Sequence, residues 1–339
     1  MRPFRFLAEA RAITTGRELA ETARKAEATG FDVLVLPDHL IGQLAPIPAM
    51  AIIAAATQQL RISAFVLNND LRHPAVLAQD LASLDVLSEG RLEIAIGAGW
   101  NEPEYVSIGL PFDPTPVRQA RLREAIAVLK GCFADGPFSY SGEHYSITDY
   151  DAAPKPTQRP HPPFLVGGGG RKTLALAGQE AQIVGLAPRI RPGGMVDPRS
   201  LTLAATAEKI GWVRAAAGKR FAELEFNTYP SVSPVVVTER PRPEAEALAQ
   251  RLHDRTGVAL SPEELLDSPH IFIGSIEGLT EKFLRLREEL GITSIMLGEV
   301  DELAPIVGRL AGMTGDRTAG LAGADVRQLI EDSGQWPRD

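Results

Sequence analysis

Arg17–Pro37, RELAETARKAEATGFDVLVLP, holds a helix signal, a stop and a strand in direct succession. Leu19, Ala23 and Ala26 fall at i, i+4 and i+7, the spacing of one helical face. Gly30 follows, and glycine takes the left-handed conformation that ends a helix without steric cost. Asp32-Val33-Leu34-Val35-Leu36 is then apolar on both faces and closed by Pro37, which reads as a strand covered on two sides by helices. Working outward, the same unit recurs. Upstream, Arg5–Ala8 reads as a strand. Downstream, strands are expected at Arg61–Leu67, Arg91–Ile96, Pro163–Val166, Gln182–Leu186, Leu224–Thr228 and Thr293–Leu297. Helices alternate with them at Pro48–Gln59, Pro74–Leu87, Val117–Lys130, Arg171–Gly178, Leu201–Ala217, Ile276–Leu290 and Glu302–Leu310.

About eight strand–helix units predict a (β/α)₈ barrel. A doubly wound sheet usually shows fewer repeats and a glycine fingerprint after strand one, yet Ala8–Thr15 contains no glycine. The length of 339 residues is enough for two domains by arithmetic alone. The repeat instead predicts one barrel domain over residues 1–314, with a polar peripheral tail at 315–339. Three long intervals, Asn101–Thr115, Ala134–Pro162 and Ser231–Phe272, carry the excess length. Long loops that follow barrel strands lie at the C-terminal face, where active sites are built.

Composition narrows the function. A net charge of −8 argues against a general nucleic-acid-binding surface. Apolar runs such as Ala45–Ala56 are too short and too interrupted by proline to span a bilayer. Met1–Ala10 lacks the apolar core of a secretory signal. A soluble, cytoplasmic protein is expected. The single cysteine, Cys132, excludes an internal disulfide and multi-cysteine metal sites, and the six histidines show no metal-ligand spacing. Arginine outnumbers lysine 28 to 7, which fits a GC-rich, actinobacterial-like source.

Several segments at strand ends carry possible chemistry. Pro37-Asp38-His39 places a carboxylate and an imidazole at the mouth; they read either as a proton-transfer pair or as a loop cap and a packed histidine. Asn68 and Asn69 offer amide groups to a heterocycle, or form Asx turns. Arg72 reads as an anion ligand or as the partner of a carboxylate. Gly97-Ala98-Gly99-Trp100 admits a planar ligand close to the backbone, or makes a tight turn; Glu102 and Glu104 beyond it also read as solvated charges. Gly167-Gly168-Gly169-Gly170-Arg171-Lys172-Thr173 runs from a strand into a helix. Its exposed N–H groups, cations and hydroxyl favour phosphate binding over a loop that only needs positive φ angles. It matches neither the Walker A pattern nor G-x-G-x-x-G.

Taken together, Val35–His39, Leu67–Ala75, Leu84–Leu92, Ile96–Tyr105 and Pro162–Gly170 resemble the bacterial luciferase-like superfamily, and more closely its coenzyme F420-dependent oxidoreductases. The resemblance spans Pro3 to Gly312. It implies a flavin or deazaflavin in the mouth of the barrel: F420, with FMN as the alternative. It implies a non-prolyl cis peptide in a bulge at Ala64–Phe65 or Phe65–Val66, pressed against the ring. Cofactor contacts would come from Ala64, Phe65, Val66, Asn68, Gly99, Trp100, Gly167, Gly168, Gly169, Gly170, Arg171 and Thr173, with catalytic roles for His39 and Asp38 and no metal. Hydride transfer to or from a small organic substrate is the implied reaction, and an FMN-dependent monooxygenase fed by a partner reductase the alternative. A homodimer is the implied assembly. Trp100 stands where sugar-phosphate dehydrogenases of the superfamily carry a catalytic glutamate, which points to a more apolar pocket.

Overall fold

The computed structural model describes residues 2–40, 42–191, 194–298 and 300–313; the expected tail at 315–339 lies outside them. The main sheet has nine strands. Two of these, Arg61–Ala64 and Leu67–Asn68, are the halves of one barrel strand interrupted at Phe65–Val66, which leaves eight. We number them β1 (Arg5–Glu9), β2 (Val33–Leu36), β3 (the two halves), β4 (Ile94–Gly97), β5 (Phe164–Gly168), β6 (Ile183–Leu186), β7 (Glu225–Thr228) and β8 (Ile292–Gly298). Each pairs in parallel with its neighbours in sequence, and β8 returns to β1. A parallel bridge between Ile62 and Leu92 joins β3 to the approach of β4 and completes the ring.

The helices after these strands are α1 (Gly16–Thr29), α2 (Pro46–Ala56), α3 (Pro74–Leu87), α4 (Thr115–Phe133), α5 (Arg171–Glu180), α6 (Leu203–Ala217), α7 (Ile276–Leu290) and α8 (Val300–Leu310). The first one starts and stops where the local chemistry demands. Thr15 accepts from the Glu18 N–H, and Gly30 at φ 90° ends the helix with bonds to Ala26 and Glu27. Leu19, Ala23 and Ala26 are its buried stripe. The main apolar core lies between strands and helices and includes Cys132, whose thiol is pushed up by burial. Among the described residues, no helix is long and apolar enough to cross a membrane.

The N-terminal end of the barrel is plugged by charge. Arg5 at the start of β1 reaches Glu225 on β7 at 2.8 Å and Glu93 ahead of β4. Neither strand is a neighbour of β1, so the guanidinium crosses the barrel interior. Arg61 on β3 also pairs with Glu93. Burial works against the Arg5 charge, but Glu93 and Glu225 overcome it and hold the guanidinium's pKa above its usual value.

The intervals between units differ in use from the sequence expectation. Ala134–Pro162 follows a helix rather than a strand; it builds a hairpin of Phe138–Ser141 and Ser146–Tyr150 and contributes nothing to the cavity described below. Its place is taken by Ala187, Pro188, Ile190, Gly194, Met195 and Val196, which follow β6. The Ser231–Phe272 interval folds as a lid. It carries helices Pro241–Thr256 and Pro262–Asp267 over a small core of Leu201, Leu248, Leu252, Leu265, Ile271 and Ile273.

Candidate functional site

The C-terminal ends of the strands open into a cavity of about 1440 Å³. Asp38, His39, Phe65, Val66, Asn68, Gly99, Trp100, Gly167 and Gly168 all border it. Its floor is shaped by the Phe65–Val66 peptide, which is cis and lies at one of the two places that the resemblance implied. Phe65 stands edge-on to Tyr229 with ring centroids 5.4 Å apart. Two glycine relationships let the strands pack closely around the cavity. A Cβ on Gly97 would sit 2.8 Å from Val66 Cγ2, too close for a side chain on β4 opposite the bulge. Gly167 and Gly185 are register partners on β5 and β6, and a Cβ on Gly167 would meet the Gly185 carbonyl oxygen at 3.3 Å.

Asp38 is a structural clasp. Its carboxylate is buried and accepts two bonds from Arg72, at 2.6 and 3.0 Å, and one from the Asn68 N–H at 2.9 Å. This bidentate pair ties the end of β2 to the chain just past the bulge. Asn68 is occupied as well: its Oδ1 accepts from the Asp70 N–H at 3.1 Å and from the Tyr105 hydroxyl at 3.0 Å. Burial, and then the Asp70 carboxylate, push the Tyr105 hydroxyl up to about 12, so it stays protonated and donates. Gly99 lies at φ +73°, and a Cβ there would collide with the Tyr105 hydroxyl. Arg118, itself buried, donates to the Ala98 and Gly99 carbonyls and fixes that turn from α4.

His39 is held differently. Its Nδ1 lies 3.1 Å from Glu104 Oε2 and 2.9 Å from Oε1, and the Glu104 side chain is 9% exposed. A carboxylate only accepts, so Nδ1 carries the proton and Nε2 is left for another partner. The ring meets Trp100 edge-on, with centroids 5.6 Å apart and an interplanar angle of 83°. Glu104 belongs to a short helix, Glu102–Ser107, on the loop after β4. From the sequence Glu104 reads as a solvated rim charge or, through the resemblance, as a motif acid that anchors its loop; the structure buries it against a histidine 65 positions away.

The glycine run divides. Gly167 and Gly168 are the last residues of β5 rather than loop, and none of Gly167–Gly170 has positive φ. Close packing explains three of them: Gly167 faces Gly185, Gly168 faces the Thr173 side chain, and a Cβ on Gly169 would overlap the Pro188 carbonyl. Gly170 has open space and is the N-cap of α5, with no side-chain cap over the first N–H groups. Ala64, Gly169, Gly170, Arg171 and Thr173 do not border the cavity. Ala64 lies in the core, Arg171 is exposed, and Thr173 Oγ1 accepts from Gln119 at 2.8 Å.

A luciferase-like monooxygenase family model matches residues 2–259, and the chain belongs to that family. It is 37% identical over 123 residues to an FMNH(2)-dependent dimethylsulfone monooxygenase of Pseudomonas putida, covering 36% of this chain and 34% of that protein. It is 34% identical over 173 residues to an F420-dependent glucose-6-phosphate dehydrogenase of Microbacterium testaceum, covering 49% of this chain and 51% of that one. The chain therefore aligns with between a third and a half of the length of these curated relatives. In fold it is similar to the coenzyme F420-dependent tetrahydromethanopterin reductase from Methanopyrus kandleri, with a TM-score of 0.69 at 18% identity over 90% of this chain and 96% of that one.

Proposed function

We propose that the protein is an F420-dependent oxidoreductase acting on a small organic substrate. The observation that carries this reading is the His39–Glu104 pair against Trp100 at the cavity wall. A deazaflavin or flavin supplies or accepts the hydride when bound. The residues present fit such a group: Gly167, Gly168 and Gly185 carry no side chains where they border the cavity, beside Phe65 and Val66. The Phe65–Val66 bulge, Gly99 and Trp100 would border the ring, and Gly167 and Gly168 would line its phosphate-bearing side, near the uncapped start of α5.

His39 handles the proton. With Nδ1–H directed at Glu104, Nε2 accepts a proton from a substrate hydroxyl in oxidation and returns it in reduction. Glu104 keeps the ring in that tautomer and orientation. Three donors occupy the Asp38 carboxylate, and its work is to hold the bulge. Trp100 sets an apolar ring edge-on beside the imidazole, a surface for the apolar part of a substrate. The identity of 37% with an FMNH(2)-dependent enzyme keeps a reduced-flavin monooxygenase as the second reading.

A Gly168→Val variant tests the cofactor slot. The new side chain would enter the space of Thr173, whose Cγ2 lies 2.8 Å from the site of a Cβ. Loss of F420 binding with the fold intact by circular dichroism is expected. Unchanged affinity would refute the placement.

A further inference from the structure

The cavity continues beyond any cofactor slot to the lid, where one helix face differs from the rest. Leu248, Arg251, Leu252 and Arg255 all border the cavity. They lie at i, i+3, i+4 and i+7 of the helix Pro241–Thr256, which is a single face. The leucines are 2% and 7% exposed and locked in the lid core, so the helix cannot rotate this face away without unpacking them. The arginines are exposed, and neither has an ion-pair partner among the described residues. Asp254 between them also borders the cavity and accepts from Gln250 at 2.7 Å, which leaves this stretch of the helix with two cations to one carboxylate. Arg11, the other arginine at the cavity, is neutralised by Glu9 at 2.6 Å. Across a chain of net charge −8, this is a local excess of positive charge aimed at a cavity.

Opposite chemistry completes the site. Trp100, Ile190 and Met195 border the same cavity and are 51%, 45% and 42% exposed. Large apolar side chains left open in a cleft mark a surface that a ligand covers. We propose that the substrate is an amphiphilic organic anion: Arg251 and Arg255 receive its phosphate, sulfonate or carboxylate, and Trp100, Ile190 and Met195 cover its apolar body. This rests on the reading of the cavity as the active site. It assigns the arginines to substrate rather than cofactor, because the cofactor's phosphate is placed at Gly167 and Gly168.

The test uses the full-length protein and the fluorescence of Trp100, with a Trp100→Phe variant as background. Octyl phosphate and octan-1-ol are titrated below micelle-forming concentrations. Octyl phosphate is expected to bind about tenfold more tightly, as a charge-assisted pair would give. An Arg251→Gln/Arg255→Gln variant should lose that preference and keep its affinity for octanol. An Arg251→Lys/Arg255→Lys variant should recover most of it. Equal affinities in the wild type, or a preference that survives the glutamine changes, would overturn the proposal. FMN and riboflavin form the second arm. If their difference collapses in the glutamine variant while the octyl preference stands, the arginines serve the cofactor and the proposal is wrong. Separate F420 titration keeps the two readings apart: failure there with the octyl preference intact removes the F420 assignment alone.

Discussion

The two ends of the barrel use charge in opposite ways. At the N-terminal end, Arg5, Arg61, Glu93 and Glu225 are closed on one another, and every guanidinium meets a carboxylate. At the C-terminal end, Asp38 and Arg72 form one closed pair, but His39 uses only one ring nitrogen on Glu104. The difference teaches where chemistry is possible. A fully paired network gains cohesion and offers nothing to a ligand, whereas a half-used histidine beside a cavity is rigid and still has a proton site to offer.

Substitutions at the two ends should therefore separate activity from stability. His39→Gln should lower turnover by about two to four orders of magnitude, the usual worth of a positioned acid–base group. F420 affinity should hold, measured by fluorescence titration beside steady-state kinetics. Glu93→Ala should do the reverse. It strips Arg61 of its carboxylate and Arg5 of one of two, and breaking such a buried pair costs about 3–5 kcal/mol. Urea unfolding should show that loss, while kcat of the folded fraction stays near wild type. If Glu93→Ala instead abolished turnover without lowering stability, the contrast between the ends would fail.

Glu104→Gln should reduce turnover by a smaller factor, about 10–100-fold, because it acts through His39 rather than on substrate. Its pH–rate profile should move while KM changes little; a KM effect alone would make Glu104 a loop anchor. The smallest effect lies beneath the lid. Lys282 on α7 donates to the Leu266 carbonyl at 2.7 Å and to that of Ile271. Burial, with Arg285 adding to it, lowers its pKa from 10.5 to about 7. Between those values the unfolded chain holds a proton that the folded chain releases, so stability rises with pH across this window. Relative to a Lys282→Met variant, the wild type should gain up to about 1.4 kcal/mol per pH unit between pH 7.5 and 9. A flat difference in urea midpoints would contradict the assignment.

The barrel was legible in sequence because each unit is built from local signals. Gly30, Pro37 and the Leu19–Ala23–Ala26 stripe act within a few residues of the structure that they set. The site was legible only in part. Strand ends identified Asp38, His39, Asn68 and Trp100 as mouth residues, since their location follows from fold alone. Their partners did not follow. Arg72 lies 34 positions from Asp38, and Glu104 lies 65 from His39, so pairing was visible only after folding. The glycine run shows the same limit: its position was readable, but the need for Gly169 arises from Pro188 in another unit. Arg251 and Arg255 carry no sequence signal of their own, because nothing local marks which face of their helix meets a cavity.

The most direct test of the central claim is titration of the full-length protein with F420 and with FMN, followed by Trp100 fluorescence and by the cofactor's own absorbance. Saturable F420 binding that quenches Trp100, with FMN bound more weakly, is the expected result. Tighter binding of FMN, or binding of neither, would contradict it.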